Sequence, residues 1–327
     1  MRQIASIDHV TTPTRPSPDL AATASAQDIG VPPGRLARTA GTALAPAVWG
    51  TTYAVTTELL PAGHPLFAGL ARSLPAGLIA LAIAGTLPRS VWWAKAAVLG
   101  VLNIGIFIPL LFVAAEHLPG GVAATIVSGQ PLIVALLAVP MLSERLSAWR
   151  LSWAATGMVG VGIVVIGPEA ALDPVGVLSA GAAAMAMATG VVLTKRWGRP
   201  AYAGPTAFAG WQLTGGGLFI LPLTLILEGS PPTIDASALL GYVWLGLPGA
   251  LIAYVLWFRG IGSLPVTATA LLALLSPLVA TVLGVLLLDE QLGAVQLLGF
   301  ALTLTALSAG QLDPGRLRWS RNEEVPR

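Results

Sequence analysis

The chain has 327 residues, 55 % of them from the apolar set AVILMFWYC and 10 % charged, where an average soluble domain carries about 25 % charge. Seventeen basic and 15 acidic residues cannot coat a soluble exterior of this size, so lipid must supply the contact surface. The net charge of +2 is not gathered into basic runs with interleaved aromatics, which argues against nucleic acid as a partner, and zero cysteines exclude disulfides, thiolate metal sites and cysteine nucleophiles.

Residues 1–37 are rich in Thr, Pro, Ser and Ala and lack a long apolar stretch, so they read as a disordered tail and not as a cleaved signal peptide. From there apolar segments follow at 39–60, 65–87, 96–115, 120–142, 149–167, 174–194, 204–227, 236–258, 264–288 and 292–311. Each is near the ~20 residues that a helix needs to cross a bilayer. The predicted fold class is an all-α polytopic membrane protein of ten transmembrane helices, with so little chain between them that any chemistry must occur inside the bundle.

Charge orients the helices, because Lys and Arg are retained on the cytoplasmic side. With the N-terminus inside, the inner loops hold Arg89, Lys95, Arg145, Arg150, Lys195, Arg196, Arg199 and Arg259, and the two tails hold eight more arginines. The outer loops hold acids instead: Glu116, Glu169, Asp173, Glu228, Asp235, Asp289 and Glu290. Both termini are therefore predicted to be cytoplasmic.

Sliding the chain by 146 positions lays Leu118-Pro119 on Leu264-Pro265, Pro131 on Pro277, Glu144 on Glu290 and Leu146 on Leu292. Phe67-Ala68-Gly69 recurs at Phe208-Ala209-Gly210, an offset of 141 that one loop indel would produce. The unit is five helices used twice, and because five is odd the second copy enters the membrane from the opposite face. Inverted repeats of this kind are how secondary transporters obtain alternating access, with the substrate near the midplane. The expected organisation is a tail at 1–37, a first repeat at 38–168, a second at 174–311 and a cytoplasmic tail at 312–327.

Each repeat has a proline-bearing span (Gln130-Pro131, Ser276-Pro277), then a Glu-x-Leu junction (Glu144-Arg145-Leu146, Glu290-Gln291-Leu292) and a Gly-rich last span. With Trp49-Gly50-Thr51-Thr52-Tyr53 and Ala71-Arg72-Ser73, these features resemble the EamA repeats of the drug/metabolite transporter superfamily. Thr56-Thr57-Glu58-Leu59-Leu60-Pro61, the stretch Leu118 to Thr125, Leu193-Thr194-Lys195-Arg196-Trp197-Gly198 and Leu256-Trp257-Phe258-Arg259-Gly260 look like a narrower branch, the PecM-type exporters associated with the blue pigment indigoidine. The resemblance implies a secondary exporter of small organic metabolites in a bacterial-type cytoplasmic membrane. The chain departs from the family's common Gly before each junction glutamate, carrying Ser143 and Asp289 there.

Arg72 is the one basic residue outside the loops and tails. It lies about seven residues into its span, roughly 10 Å deep at 1.5 Å per residue, where a charge costs several kcal/mol unless it is paired or faces water. It is a candidate cavity residue for anionic substrate groups, or an arginine snorkelling to the outer headgroups. Glu58, on the adjacent helix, is a candidate partner for Arg72 and the one plausible carboxylate for proton coupling; facilitated diffusion fits equally well.

A second set is polar or aromatic at membrane depth: Trp49 and Tyr53, one helical turn apart, Asn103, Gln130, Trp211, Gln212, Tyr254, Trp257 and Ser276. Hydrocarbon offers these groups no partner, so they must line a cavity or bridge helices. Pro131 and Pro277 are candidate hinges or static bends. Trp92, Trp93 and Trp319 read as interfacial belt residues. No phosphate-cradling Gly-x4-Gly-Lys, metal-ligand spacing or nucleophile elbow is present, so no catalytic residue, cofactor or metal is expected. The competing readings are a channel or lipid scramblase, and a membrane scaffold or sensor acting through its tails.

Overall fold

The computed structural model describes residues 34–118, 120–145, 147–165, 173–287 and 293–312, without the side chains of several residues, Tyr53 and Glu116 among them. Most of both expected tails, together with Glu169, Asp289, Glu290 and Trp319, lies outside the described residues. Every regular element among them is helical: α1 (Arg35–Gly50), α2 (Thr52–Leu59), α3 (Pro65–Ala84), α4 (Trp92–Gly100), the π segment π1 (Val101–Ile106), α5 (Phe107–His117), α6 (Gly120–Val127), α7 (Gln130–Leu142), α8 (Ala148–Val165), α9 (Pro174–Trp197), α10 (Pro205–Leu227), α11 (Ala236–Gly246), π2 (Leu247–Ile252), α12 (Ala253–Ser263), α13 (Val266–Leu272), α14 (Leu275–Leu287) and α15 (Ala294–Gly310). Seven stretches are long and apolar enough to cross a membrane: Pro65–Ala84, Trp92–Ala114, Ala123–Leu142, Pro174–Trp197, Pro205–Leu227, Ala236–Ser263 and Val266–Leu286, with Ala294–Gly310 apolar but shorter. The first helix begins at Arg35, inside the expected tail.

The interruptions have local causes. Thr51 parts α1 from α2, its hydroxyl and N–H both turned back on the Val48 carbonyl at 2.7 and 3.1 Å. Gly129 closes a tight turn onto Ile126 O at 3.0 Å, and Pro131, which has no N–H to give, is the second residue of the helix that restarts. Its repeat counterpart Pro277 is the third residue of α14, after a break at Ala273 and Leu274. The two π segments also stand 146 residues apart. Pro248 lies within π2 and Pro109 just beyond π1, and each removes a donor from the i→i−4 ladder.

Three of the acids expected on the outer side have a structural duty. Asp173 accepts from Val175 N and Gly176 N at the start of α9, and Asp235 accepts from Ala238 N at the start of α11. Glu228 crosses the sequence to accept from Leu66 N and Phe67 N at the start of α3, at 2.5 and 2.8 Å. Each places negative charge where a helix leaves N–H groups unsatisfied and its dipole is positive.

Small residues set the packing. A Cβ on Gly77 would fall 2.5 Å from Thr214 N, one on Gly210 would meet Ala80, and one on Gly217 would meet Leu74. The partners run in opposite order, so α3 and α10 are antiparallel at close approach. The same holds for α8 and α15, where Gly160 abuts Gly299, Trp149 bonds Ala309 O and Gln296 bonds Val164 O. The main core gathers around Trp257 of α12, Leu99 of α4, Leu213 of α10 and Val191 of α9, and a smaller one around Ala154, Val161, Leu274 and Leu307 lies at α8 and α15. Leu178, Ile226 and Leu286 are each at least 70 % exposed, the inverse of a soluble protein and the exterior that hydrocarbon requires.

Candidate functional site

Two clusters form where each π segment meets a pair of helices distant in sequence. In the first, Trp49 of α1 donates its indole N–H to the Gly249 carbonyl in π2 at 2.9 Å, and Arg72 of α3 donates to the same oxygen at 3.1 Å. The Trp49 ring packs on Tyr254 and Trp257 of α12, with centroids 5.1 and 5.2 Å apart. Trp257 is fully buried, and its own N–H has no partner among the described residues.

In the second cluster, Asn103 of π1 donates to Gln212 Oε1 of α10 at 2.8 Å and to the Thr194 hydroxyl of α9 at 3.3 Å. Asn103 and Gln212 are fully buried, and the Asn103 amide lies directly over Gly190 of α9, where a Cβ would collide with it. Asn103 Oδ1 finds no partner among the described residues.

The clusters are counterparts. The 146-residue offset lays Asn103 on Gly249, and the 141-residue offset lays Trp49 on Gly190. In one cluster a side chain from α1 covers a glycine of π2; in the other a side chain of π1 covers a glycine of α9. A chain of rings leaves the first cluster: Tyr254 to Phe258 at 5.5 Å, Phe258 to Phe208 at 5.8 Å, Phe208 to Trp211 at 6.2 Å, and Trp211 to Tyr202 at 5.9 Å. It ends at two loops, where Trp211 donates to Thr86 O, the Tyr202 hydroxyl accepts from Arg89 N, and the Arg89 guanidinium lies over the Tyr202 ring.

Trp49, Arg72, Tyr254 and Trp257 are thus brought together, as are Asn103 and Gln212. Arg72 turns to the Gly249 carbonyl and forms no described ion pair with Glu58, which is exposed at the end of α2. Gln130 is buried at the start of α7 with its amide nitrogen unpartnered among the described residues, and Ser276 is half-buried at the α14 break with its carbonyl against Gly50. These two lie apart from both clusters in the described contacts, and the Tyr53 side chain lies outside the described residues. Trp92 departs from the expected belt: it packs inward on Phe208 and Trp211 while Trp93 stays exposed. Gly249, Phe208, Phe258, Tyr202 and the Glu228 clasp are not among the site residues expected from the sequence, although the 146-residue offset applied to Asn103 points to Gly249.

Among its described residues the chain has only helical regular elements, an apolar exterior and polar groups gathered at buried helix crossings, which fit a multi-pass membrane protein. The EamA-like transporter family matches it twice, over residues 40–167 and 174–309, and the chain belongs to that family. It is 46 % identical over 263 residues to Protein PecM of Dickeya dadantii, covering 80 % of this chain and 88 % of that one. It is 28 % identical to a probable amino-acid metabolite efflux pump of Escherichia coli, over 64 % of this chain and 72 % of the pump. A probable terminal-alkyne amino-acid exporter of Streptantibioticus cattleyicolor is also 28 % identical, over 81 % and 93 % of the two chains. A solved crystal structure at 23 % identity superposes with a TM-score of 0.72 over 84 % of this chain and 98 % of the other, a likeness of fold.

Proposed function

We propose that the protein is an exporter of small organic metabolites that works by alternating access between two inverted five-helix halves, 38–168 and 174–311. Counting α1 with α2, α4 with α5, α6 with α7, α11 with α12 and α13 with α14 as single interrupted spans makes ten, with both termini in the cytoplasm of a bacterial-type cell. The observation that carries the reading is the reciprocal docking of the π segments: π2 of the second half against α1 and α3, and π1 of the first half against α9 and α10. Antiparallel packing of α3 on α10, and of α8 on α15, is what inversion requires of corresponding helices. The printed roles of two relatives, amino-acid metabolite efflux and amino-acid export, support small metabolites as cargo. In this reading Trp49, Arg72, Tyr254 and Trp257 line the midplane path, and the breaks before Pro131 and Pro277 let the halves rock.

The test is solute counterflow in proteoliposomes of the purified chain, using amino acids and aromatic acids first and then solutes that accumulate in a deletion strain. Saturable, trans-stimulated movement is expected; failure of every solute to move removes the exporter reading, and passive lipid or ion flux replaces it with a scramblase or channel. Proton coupling through Glu58 predicts that Glu58→Gln abolishes uphill efflux while exchange persists; unchanged uphill efflux removes Glu58 from that role.

A further inference from the structure

Gly249 O receives two side-chain donors from two different helices, the Trp49 indole N–H and an Arg72 guanidinium N–H. A neutral backbone carbonyl is the weaker kind of acceptor for a guanidinium, whose planar fork matches the two oxygens of a carboxylate and bonds them about twice as strongly. The two donors converge on a single point, so a ligand oxygen seated there meets both. The Trp49 donor belongs to an aromatic cluster, Tyr254 and Trp257 packing on its ring. The Trp257 N–H in this aromatic cluster is fully buried and unpartnered among the described residues. The two side-chain groups that meet at the Gly249 oxygen both donate, which selects for an acceptor, and the Arg72 charge is positive.

We propose that Arg72 and Trp49 anchor the carboxylate of a small planar organic acid, and that the Gly249 carbonyl occupies this anchor when no ligand is bound. Ligand entry then does two things in one exchange. The carboxylate takes the donors, and π2, which Gly249 O tethers to α1 and α3, is released from the first half. Binding at the anchor is thereby linked to separation of the halves, since a ligand shifts a conformational equilibrium only through contacts that differ between the two states. The proposal rests on the exporter reading and adds the substrate class and the group that recognises it.

The experiment uses the full chain in nanodiscs of phosphatidylethanolamine and phosphatidylglycerol, with indole-3-acetate and benzoate as probes and their amides as neutral isosteres. Calorimetry is expected to give each acid at least about tenfold tighter binding than its amide, the range of a hydrogen bond to a charged group. Arg72→Gln is expected to remove that preference, so that acid and amide bind alike. Arg72→Lys, which keeps the charge and guards against a folding defect in the first variant, is expected to retain part of it. Trp49→Phe, which keeps an aromatic side chain but loses the indole N–H and part of the ring surface, is expected to weaken the acids severalfold. Hydrogen exchange of residues 247–252 should quicken when an acid is bound. Equal binding of acid and amide, binding of neither acid, or wild-type preference in Arg72→Gln overturns the anchor. Unchanged exchange at 247–252 with the acid bound overturns the release. Counterflow separates this from the exporter reading: movement of solutes independent of Arg72 keeps the exporter and removes the anchor, whereas Arg72-dependent acid binding without movement keeps the anchor and removes the exporter.

Discussion

The Asn103 side chain lies over Gly190 so closely that a Cβ on the glycine would overlap its amide. Asn103 is fully buried and bonded to Gln212 and Thr194, so it cannot swing aside. Gly190→Ala is expected to destabilise the protein by about 1–3 kcal/mol, the usual cost of overpacking, read as thermal unfolding in nanodiscs. Asn103→Ala alone costs about 0.6–2 kcal/mol through the interhelical hydrogen bonds it removes. The double variant should be more stable than the sum of the two predicts, because the second change removes the clash. Strict additivity would show that the contact does not constrain α9.

Glu228 is expected to act as an outer clasp. Its carboxylate holds the N–H groups of Leu66 and Phe67, tying the end of α10 to the start of α3. Glu228→Ala should cost about 1 kcal/mol, as loss of a helix cap does, and hydrogen exchange at Leu66 and Phe67 should quicken while Leu213, deep in the core, is unaffected. The chain has no cysteine, so Ala62→Cys offers a single maleimide site beside the clasp; it should label faster in the Glu228→Ala background.

The opposite end of the same helix pair has its own clasp. Trp211 donates to Thr86 O, and Tyr202 accepts from Arg89 N. Tyr202→Phe keeps its ring and loses one hydrogen bond, at about 0.5–1.5 kcal/mol, whereas Trp211→Phe loses a hydrogen bond and part of a buried indole and should cost more. Together they should speed exchange at Arg89 without altering Leu66. A change at both ends would mean that the two clasps do not open separately.

Gly160 marks the seam of α8 and α15. A Cβ there would collide with the Thr303 hydroxyl and lie 2.9 Å from Gly299 O. Gly160→Leu must push the helices apart and should cost more than Gly160→Ala, with both losses visible in the unfolding temperature. Equal stability of the two would show that the seam is loose.

Asp235 gives a pH dependence of known sign. The Ala238 N–H, then the Ser237 hydroxyl, hold its carboxyl below the ordinary carboxylate value. A depressed folded value means that the cap contributes stability above the unfolded pKa and loses it as pH falls through the folded one. Exchange at Ala238 should therefore rise at strongly acidic pH in the wild type and be insensitive to pH, once intrinsic rates are removed, in Asp235→Asn.

Much of this protein follows from residue types in order. Apolar runs of bilayer length and an offset of 146 lead to membrane helices and a family without any contact being known. The breaks shortly before Pro131 and Pro277 fall near residues the sequence marks, whereas those at Thr51 and the two π segments do not. What the residues in order do not carry is direction around each helix. In lipid, the face toward hydrocarbon and the face toward a neighbour are both apolar, so no stripe tells which way Trp49, Arg72 or Asn103 turns. The tertiary structure decided that Arg72 turns to a carbonyl 177 residues away and not to the carboxylate on the next helix, and that Trp92 turns inward while Trp93 does not. The reason is that a buried polar group takes the partner that packing brings within 3 Å, and where helices cross is set by small residues such as Gly77, Gly160 and Gly190, whose role is visible only once the opposing helix is in place.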